Sequence, residues 1–270
     1  MSGQRVLVTG AGTGIGKGIA REFAAAGAAV VLHYSHSGAG AVEAAAEIRA
    51  KGGRAEAMAA DFTKVAEVQE LARSAAAFLG GVDVVVNNAG ITMNRPFGET
   101  TPEQFDVLYA VNVRAPFFLT QALVPALLAS GHGAVINISS VHAIGGRREH
   151  AVYAGTRGAI VSFTRTLAIE LAPQGIRVNG IAPGPVEVEN HHKVMSDEQI
   201  AGSGSCTPIG FMGQPQDIGK LAVFLASEAA RYIVGQTFVI DGGTTSWFSL
   251  CDSYRTSAPI RFGQGYVPGV

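Results

Sequence analysis

The feature that most constrains the fold is an apolar run that leads directly into a glycine-rich turn. Residues 6–8, Val-Leu-Val, predict a strand buried on both faces. Gly10, Gly14 and Gly16 follow, and apolar residues then recur at helical spacing over residues 19–24. This order places free backbone N–H groups at the positive end of a helix dipole, which predicts a pyrophosphate site. A glycine turn without a ligand is the alternative, and the strand–turn–helix context disfavours it.

Strand and helix patterns alternate along most of the chain, which is typical of a parallel, doubly wound α/β sheet. Strands are predicted at residues 6–8, 28–33, 54–60, 82–86, 135–138, 177–181 and 237–240, and later helices at 42–50, 65–79, 101–130, 153–171 and 217–226. We therefore predict one Rossmann-type domain at residues 1–246, with about seven strands and helices on both faces. Residues 247–270 form a C-terminal extension.

Composition narrows the class of protein. The 270 residues are 47% hydrophobic and 15% charged, with a formal net charge of -1, so nothing favours binding to nucleic acid or an anionic membrane. Cys206 and Cys251 match no metal or disulfide spacing and fit a reducing cytosol. We expect no signal peptide, and no apolar run of the roughly 20 residues that span a bilayer. The expectation is a cytoplasmic protein without a metal site.

A set of motifs in a fixed order gives the chain its resemblance to a known family. They are Thr9-Gly-Ala-Gly-Thr-Gly-Ile-Gly16, Asn87-Asn88-Ala89-Gly90, Asn112, Ser140 placed thirteen residues before Tyr153, Pro183-Gly184 and Asp241-Gly242-Gly243. With them the chain resembles the short-chain dehydrogenase/reductase family from Arg5 to about Gly243. The branch it looks most like contains 3-oxoacyl-carrier-protein reductases and glucose-dehydrogenase-like enzymes. The resemblance implies hydride transfer with NAD(P).

Such a transfer needs a group that exchanges a proton with the substrate oxygen while the hydride moves to or from the carbon. A phenol can do this once its pKa is brought down from about 10. The resemblance makes Tyr153 this acid/base and has Ser140 orient the substrate oxygen. It has Asn112 hold a water of a proton relay.

Arg157 departs from the family pattern, which has a lysine four residues after the tyrosine on the same helix face. By resemblance, that lysine binds the ribose hydroxyls and activates the tyrosine. Arginine keeps the positive charge, but its planar fork is larger and points differently. We hypothesise that Arg157 keeps the ribose contact and activates Tyr153 less well. The alternative is a nucleotide-binding pseudo-enzyme.

The expected cofactor is NADP or NAD, and we favour NADP. The end of the second strand, residues 32–37, carries no carboxylate that would repel a 2′-phosphate, and Ser35 and His36 offer hydrogen bonds. No arginine lies there or at Thr13, so dual use stays open. The predicted cofactor-binding residues are Gly10, Thr13, Gly14, Ile15, Gly16, Tyr34, Ser35, His36, Asp61, Phe62, Asn88, Ala89, Gly90, Tyr153, Arg157, Pro183, Gly184 and Val186.

Two segments, residues 141–150 and 187–207, follow strands at the edge where ligands bind in this architecture. Both are polar, which suits a sugar, a polyol or an anionic small molecule, although solvated loops would look the same. The predicted substrate-binding residues are Ser140, His142, Arg148, His150, Tyr153, Asn190 and His191. A 3-oxoacyl thioester reductase is the alternative enzyme, and we do not expect His191-His192 to bind a metal.

The extension at residues 247–270 contains several aromatic residues and few charges. Disordered tails have the opposite composition, so we predict that it docks on a neighbouring subunit. The apolar faces of the helices that begin near Thr101 and Tyr153 favour a homotetramer.

Overall fold

A computed structural model describes residues 1, 3–193 and 195–247. Its seven parallel strands are β1 (Arg5–Val8), β2 (Ala29–Tyr34), β3 (Ala55–Ala59), β4 (Val84–Asn87), β5 (Ala134–Ile138), β6 (Arg177–Pro183) and β7 (Thr237–Ile240). Its helices are α1 (Gly14–Ala25), α2 (Gly38–Ala50), α3 (Val65–Leu79), α4 (Pro102–Tyr109), α5 (Ala115–Ser130), α6 (Ala151–Leu171), α7 (Asp197–Ser205) and α8 (Pro215–Ala226). The predicted doubly wound α/β fold is confirmed. The tail beyond Trp247 lies outside the described residues.

The strand order is β3-β2-β1-β4-β5-β6-β7, so the order reverses between β1 and β4. Because ligands bind beyond the carboxyl ends of the strands at such a reversal, the turn after β1 is placed where the sequence predicts a site. Alternate side chains of β1 enter separate cores. Val6 and Val8 belong to the core that includes residues of α1 and α8, and Leu7 to the core that includes residues of α3 and α5.

The predicted helix at 101–130 is continuous but changes its winding in the middle. Thr101 caps α4 in a capping box with Gln104, as its position before Pro102 indicates. Between α4 and α5, Ala110–Arg114 forms a π-helical turn. Such turns are frequent at functional sites, and this one carries Asn112. Periodicity alone cannot reveal a π turn, because one extra residue leaves the pattern on either side intact.

The same run, Pro102–Ser130, is by length and composition alone the one described helical segment that could cross a membrane, with a mean hydropathy of 1.3. This qualifies the expectation that no stretch reaches that length. Leu119, Leu123 and Leu127 of α5 are nevertheless buried in the core formed with the sheet. Packing within the domain therefore accounts for this buried face of α5, whereas Phe117 and Leu128 of the same helix stay exposed.

Helix α7 lies within residues 187–207, for which the sequence predicts a polar loop. Ser196 caps this helix in a capping box with Gln199, a signal that was present in the sequence as Ser-x-x-Gln. Helix α2 begins at Gly38, four residues before the predicted start at residue 42. Gly38 and Gly40 are poor helix formers and obscured that first turn.

Candidate active site

A cleft of about 1680 Å³ lies beyond the carboxyl ends of the strands. It brings together most of the residues that the sequence singled out. The predicted residues that line it are Gly10, Thr13, Gly14, Ile15, Gly16, Ser35, His36, Asp61, Phe62, Asn88, Ala89, Gly90, Ser140, His142, Tyr153, Arg157, Pro183, Gly184, Val186, Asn190 and His191.

Four predicted residues are not part of this lining. Tyr34 packs beside Gly38 at the start of α2, and Asn112 is buried behind the cleft. His150 and Arg148 contact each other, with a ring nitrogen of His150 2.8 Å from the Arg148 carbonyl oxygen. The His150 ring still lies edge-on to Tyr153, with 6.3 Å between their centroids.

The glycine turn is held in place by its neighbours. Gly10 and Gly14 have φ angles of 64° and 53°, in the left-handed region that only glycine enters without strain. The Asn88 side-chain amide donates to the carbonyls of Thr9 (2.9 Å) and Gly10 (3.2 Å). Asn88, predicted to touch the cofactor, thus also fixes the turn.

His33, which is not among the predicted site residues, supports this turn through a hydrogen bond. The Gly10 N–H donates to His33 Nδ1 at 3.2 Å, and His33 Nε2 lies 3.1 Å from the Ala60 carbonyl. These partners require a neutral ring with its proton on Nε2. Burial lowers the pKa of His33 to about 4, against a smaller opposing effect of the bond to Ala60. The His33 ring also stacks on the Phe62 ring, with 4.1 Å between the two ring centroids. The sequence does carry a signal for this role, because His33 is a single polar residue within the otherwise apolar run of the predicted strand at residues 28–33.

Glu189 belongs to the polar segment expected to face the substrate, but its carboxylate lies on the glycine turn. Its Oε2 accepts from the Gly14 N–H at 2.7 Å and from the Thr13 hydroxyl at 2.8 Å. Partial burial would raise the pKa of Glu189, but these two bonds and the nearby Lys17 outweigh it and hold the pKa below its usual value. The turn therefore offers the donors that an anionic oxygen needs, and a diphosphate fits the same donor set.

At the other end of the cleft, Arg157 is buried beside Tyr153. Its guanidinium carbon lies 4.9 Å from the centroid of the Tyr153 ring, and Nη1 donates to the Ile138 carbonyl at 3.1 Å. A Cβ at Gly90 would collide with Nη2, so the glycine leaves room for the arginine fork. The larger side chain is thus accommodated next to the predicted acid/base.

Ser140 lines the same cleft as Tyr153, as a shared role in catalysis requires. Its Oγ accepts from the His142 N–H at 3.2 Å, which leaves the hydroxyl proton free to donate. The His142 ring lies edge-on to Tyr153 at 5.7 Å. Burial, followed by the charges of His150 and Arg147, lowers the pKa of His142.

Asn112 binds backbone with its side chain. Its Oδ1 accepts from the Ile91 N–H at 2.8 Å, and its Nδ2 donates to the Ile91 carbonyl at 2.9 Å and to Thr156 Oγ1 at 3.1 Å. The amide thus ties the segment after β4 to α6. Its expected role in a water relay remains a prediction.

Among residues 1, 3–193 and 195–247, no three His, Cys, Asp or Glu side chains form a group that could hold a metal ion. His192 Nε2 instead lies 2.9 Å from a carboxylate oxygen of Glu187.

Comparison with known proteins supplies the family. A family model described as enoyl-(acyl carrier protein) reductase matches residues 10–245. The chain is also 39% identical to a hydroxynaphthalene reductase-like protein of Metarhizium guizhouense over 91% of this chain and 96% of that protein. It is 37% identical to 3beta-hydroxysteroid dehydrogenase 1 of Eggerthella lenta over 98% of each. The chain belongs to the short-chain dehydrogenase/reductase family.

Solved structures of this family have the same fold. A putative short-chain alcohol dehydrogenase of Sinorhizobium meliloti superposes with a TM-score of 0.86 at 36% identity, covering 92% of this chain and 98% of that one. A short-chain dehydrogenase of Burkholderia cenocepacia in complex with NADP gives 0.84 at 33% identity, covering 90% and 98%. A 7 alpha-hydroxysteroid dehydrogenase in complex with NADH and 7-oxo glycochenodeoxycholic acid gives 0.84 at 38% identity, covering 90% and 94%. This short-chain dehydrogenase/reductase is thus an oxidoreductase of a family that uses NAD(P).

Proposed function

We propose that this short-chain dehydrogenase/reductase moves a hydride between NADP(H) and a hydroxyl or carbonyl carbon, with Tyr153 as acid/base. The observation that carries the proposal is the single cleft shared by the glycine turn, Ser140, Tyr153 and Arg157. An anion-binding turn at one end of the cleft, with a phenol and a serine hydroxyl that line the same cleft, matches the two halves of the reaction.

The bound nicotinamide would supply or accept the hydride. Tyr153 gives its phenolic proton to the substrate oxygen in reduction and takes it back in oxidation. Ser140 donates its free hydroxyl proton to the same oxygen and so orients the reacting carbon. Arg157 holds the phenol ring in place through the cation–π contact of its guanidinium. Asn112, through Ile91, positions the wall of the cleft.

NADP is favoured over NAD by the end of β2. Ser35, His36 and Ser37 line the cleft there, and no carboxylate stands among them. Asp61, at the end of the neighbouring β3, accepts from the N–H and hydroxyl of Thr63 and lies 3.4 Å from Lys64 Nζ. Its charge is therefore partly compensated. The structural relatives include one bound to NADP and one bound to NADH, so both cofactors belong in the test.

For the substrate we propose a ring compound that carries hydroxyl groups. The loops over the reacting end combine polar and apolar side chains, namely His142, Asn190 and His191 with Ile144, Met195, Met212 and Trp247. A sugar ring, as the sequence suggested, presents both a hydroxylated edge and an apolar face. The names of the relatives, a hydroxynaphthalene reductase-like protein and hydroxysteroid dehydrogenases, extend this class to hydroxylated carbocycles.

A fluorescence titration with NADPH and with NADH tests the cofactor, and a panel of substrates tests the reaction. The panel contains aldoses, cyclic polyols, hydroxylated ring ketones and 3-oxoacyl thioesters. We expect tighter NADPH binding and turnover of ring compounds. Turnover of thioesters alone would favour the 3-oxoacyl reductase alternative. Cofactor binding without turnover of any compound would favour the pseudo-enzyme.

We also propose a cytoplasmic homotetramer. Phe105 of α4, Phe117 of α5 and Ile169 of α6 are large apolar side chains with exposed fractions of 42%, 45% and 76%. Contact with neighbouring subunits would remove these apolar surfaces from water. Light scattering of the purified protein measures the assembly directly, and a monomer at micromolar concentration would contradict it.

A further inference from the structure

The glycine turn and the loop after β6 are joined by a contact that the proposed reaction does not use. Glu189 Oε2 accepts from the Gly14 N–H (2.7 Å) and from the Thr13 hydroxyl (2.8 Å). Its other carboxylate oxygen lies 3.6 Å from Lys17 Nζ on the first turn of α1. Two hydrogen-bond donors and one nearby cation on this short segment thus meet a single carboxylate, while Lys17 Nζ itself donates to Glu43 at 2.9 Å.

These donors are the ones that a dinucleotide needs. The backbone N–H groups of such a turn, at the positive end of α1, bind the diphosphate of the cofactor. An N–H group that points at Glu189 cannot at the same time point at a phosphate oxygen. Two anions so close together would also repel each other. Glu189 and the diphosphate therefore compete for the turn.

Packing of the neighbouring residue Val188, in addition to charge, holds the Glu189 carboxylate on the glycine turn. Val188 lies directly over Gly14, where a Cβ built on the glycine would stand 3.1 Å from Val188 Cγ1. Glu189 is half exposed, with 50% of its side chain accessible, so it can swing into solvent when the turn is needed. The segment from Val188 to His191 continues into the residues that line the substrate end of the cleft.

We propose that Glu189 is an internal gate of the cofactor site, which closes the glycine turn by taking the place of the diphosphate. The inference rests on the proposed function, because it concerns the binding of NADP(H) at that turn. Cofactor binding is then an exchange of anions: the diphosphate enters, and Glu189 leaves with the loop that covers the substrate end. The apparent affinity is reduced by the fraction of molecules in which the gate is closed.

The decisive measurement compares dissociation constants of NADPH, ADP and adenosine for the wild type, Glu189→Gln and Glu189→Asp. Gln removes the charge, and Asp keeps the charge but is too short to reach the Gly14 N–H. We expect both variants to bind NADPH and ADP about tenfold more tightly, the equivalent of one charge-assisted hydrogen bond. Adenosine, which has no diphosphate, should bind all three proteins equally. Glu187→Gln is the matched control, because Glu187 contacts His192 and Gln214 rather than the turn.

Stopped-flow kinetics separate a gate from simple repulsion. A gate that opens before binding raises the association rate of NADPH in the variants and leaves the dissociation rate unchanged. A change confined to the dissociation rate would overturn the proposal, since Glu189 would then remain beside the bound cofactor. Equal affinities in all variants would also overturn it. Failure of every variant and of the wild type to bind NADPH would contradict the proposed function itself.

Discussion

The guanidinium carbon of Arg157 lies 4.9 Å from the centre of the Tyr153 ring, one helical turn earlier on α6. This distance is that of a cation–π contact, made here by a planar fork, whereas a lysine at the same position would present a point charge on a flexible stem. The position where the chain departs from its family is thus occupied by a side chain that is buried and bound to the Ile138 carbonyl.

Arg157→Lys is expected to raise kcat about tenfold, because a mobile ammonium can approach both the phenol oxygen and the ribose. Affinity for NADPH should change little. Arg165→Lys, at an exposed position of the same helix, is the matched control and should leave kcat unchanged. Steady-state kinetics with saturating cofactor give the comparison. An unchanged or lower kcat in Arg157→Lys would show that the arginine activates Tyr153 at least as well as lysine does.

Tyr153→Phe is expected to lower kcat by about a hundredfold or more, the usual contribution of a positioned acid/base. Phenylalanine keeps the ring that contacts the Arg157 guanidinium. The dissociation constant of NADPH should therefore change by no more than a factor of about three, which corresponds to less free energy than one hydrogen bond contributes. Single-turnover kinetics and a fluorescence titration measure the two quantities. Retained turnover would assign the proton to another group, with His142 next in position.

The fold and most of the cleft were predictable because they depend on local patterns. Apolar runs, the glycine turn after β1 and the capping residue Thr101 each carry their own signal, and parallel strands end at one edge. The contacts of His33 and Glu189 were not predictable in the same way. The His33 ring on β2 contacts the carbonyl of Ala60, which follows β3. Glu189 accepts from the N–H of Gly14, which lies 175 positions earlier in the sequence. Such pairings arise only once the chain is folded, and no periodicity marks them.

Asn112→Ala is expected to lower the free energy of unfolding by about 2 kcal/mol, because it removes three hydrogen bonds of a buried amide. Turnover should fall as well, since Ile91 then loses its anchor beside the cleft. Asn94→Ala is the control, because Asn94 is exposed in the segment after β4 that also contains Ile91. It should change the free energy of unfolding by less than about 0.5 kcal/mol. Urea denaturation measures both. Equal stability of the two variants would show that the amide of Asn112 is not structural.

His33 gives the protein a defined sensitivity to acid. Its pKa in the folded chain is about 4, below the ordinary histidine value of 6.5, so between these values the unfolded chain binds a proton that the folded chain does not. The free energy of unfolding therefore falls as the pH falls from 6.5 towards 4, by about 3 kcal/mol in total. Protonated Nδ1 would also point a proton at the Gly10 N–H, which loosens the glycine turn.

Urea denaturation of the wild type and of His33→Asn at several pH values between 4 and 7 tests this effect. An asparagine can accept from Gly10 but does not titrate, so the variant should lose less stability than the wild type over that range. His36→Asn removes an exposed histidine just after β2, the strand that carries His33. This control variant should lose as much stability on acidification as the wild type. If the wild type and His33→Asn respond to acid with the same slope, the proton is taken up elsewhere and the neutral His33 does not control the turn.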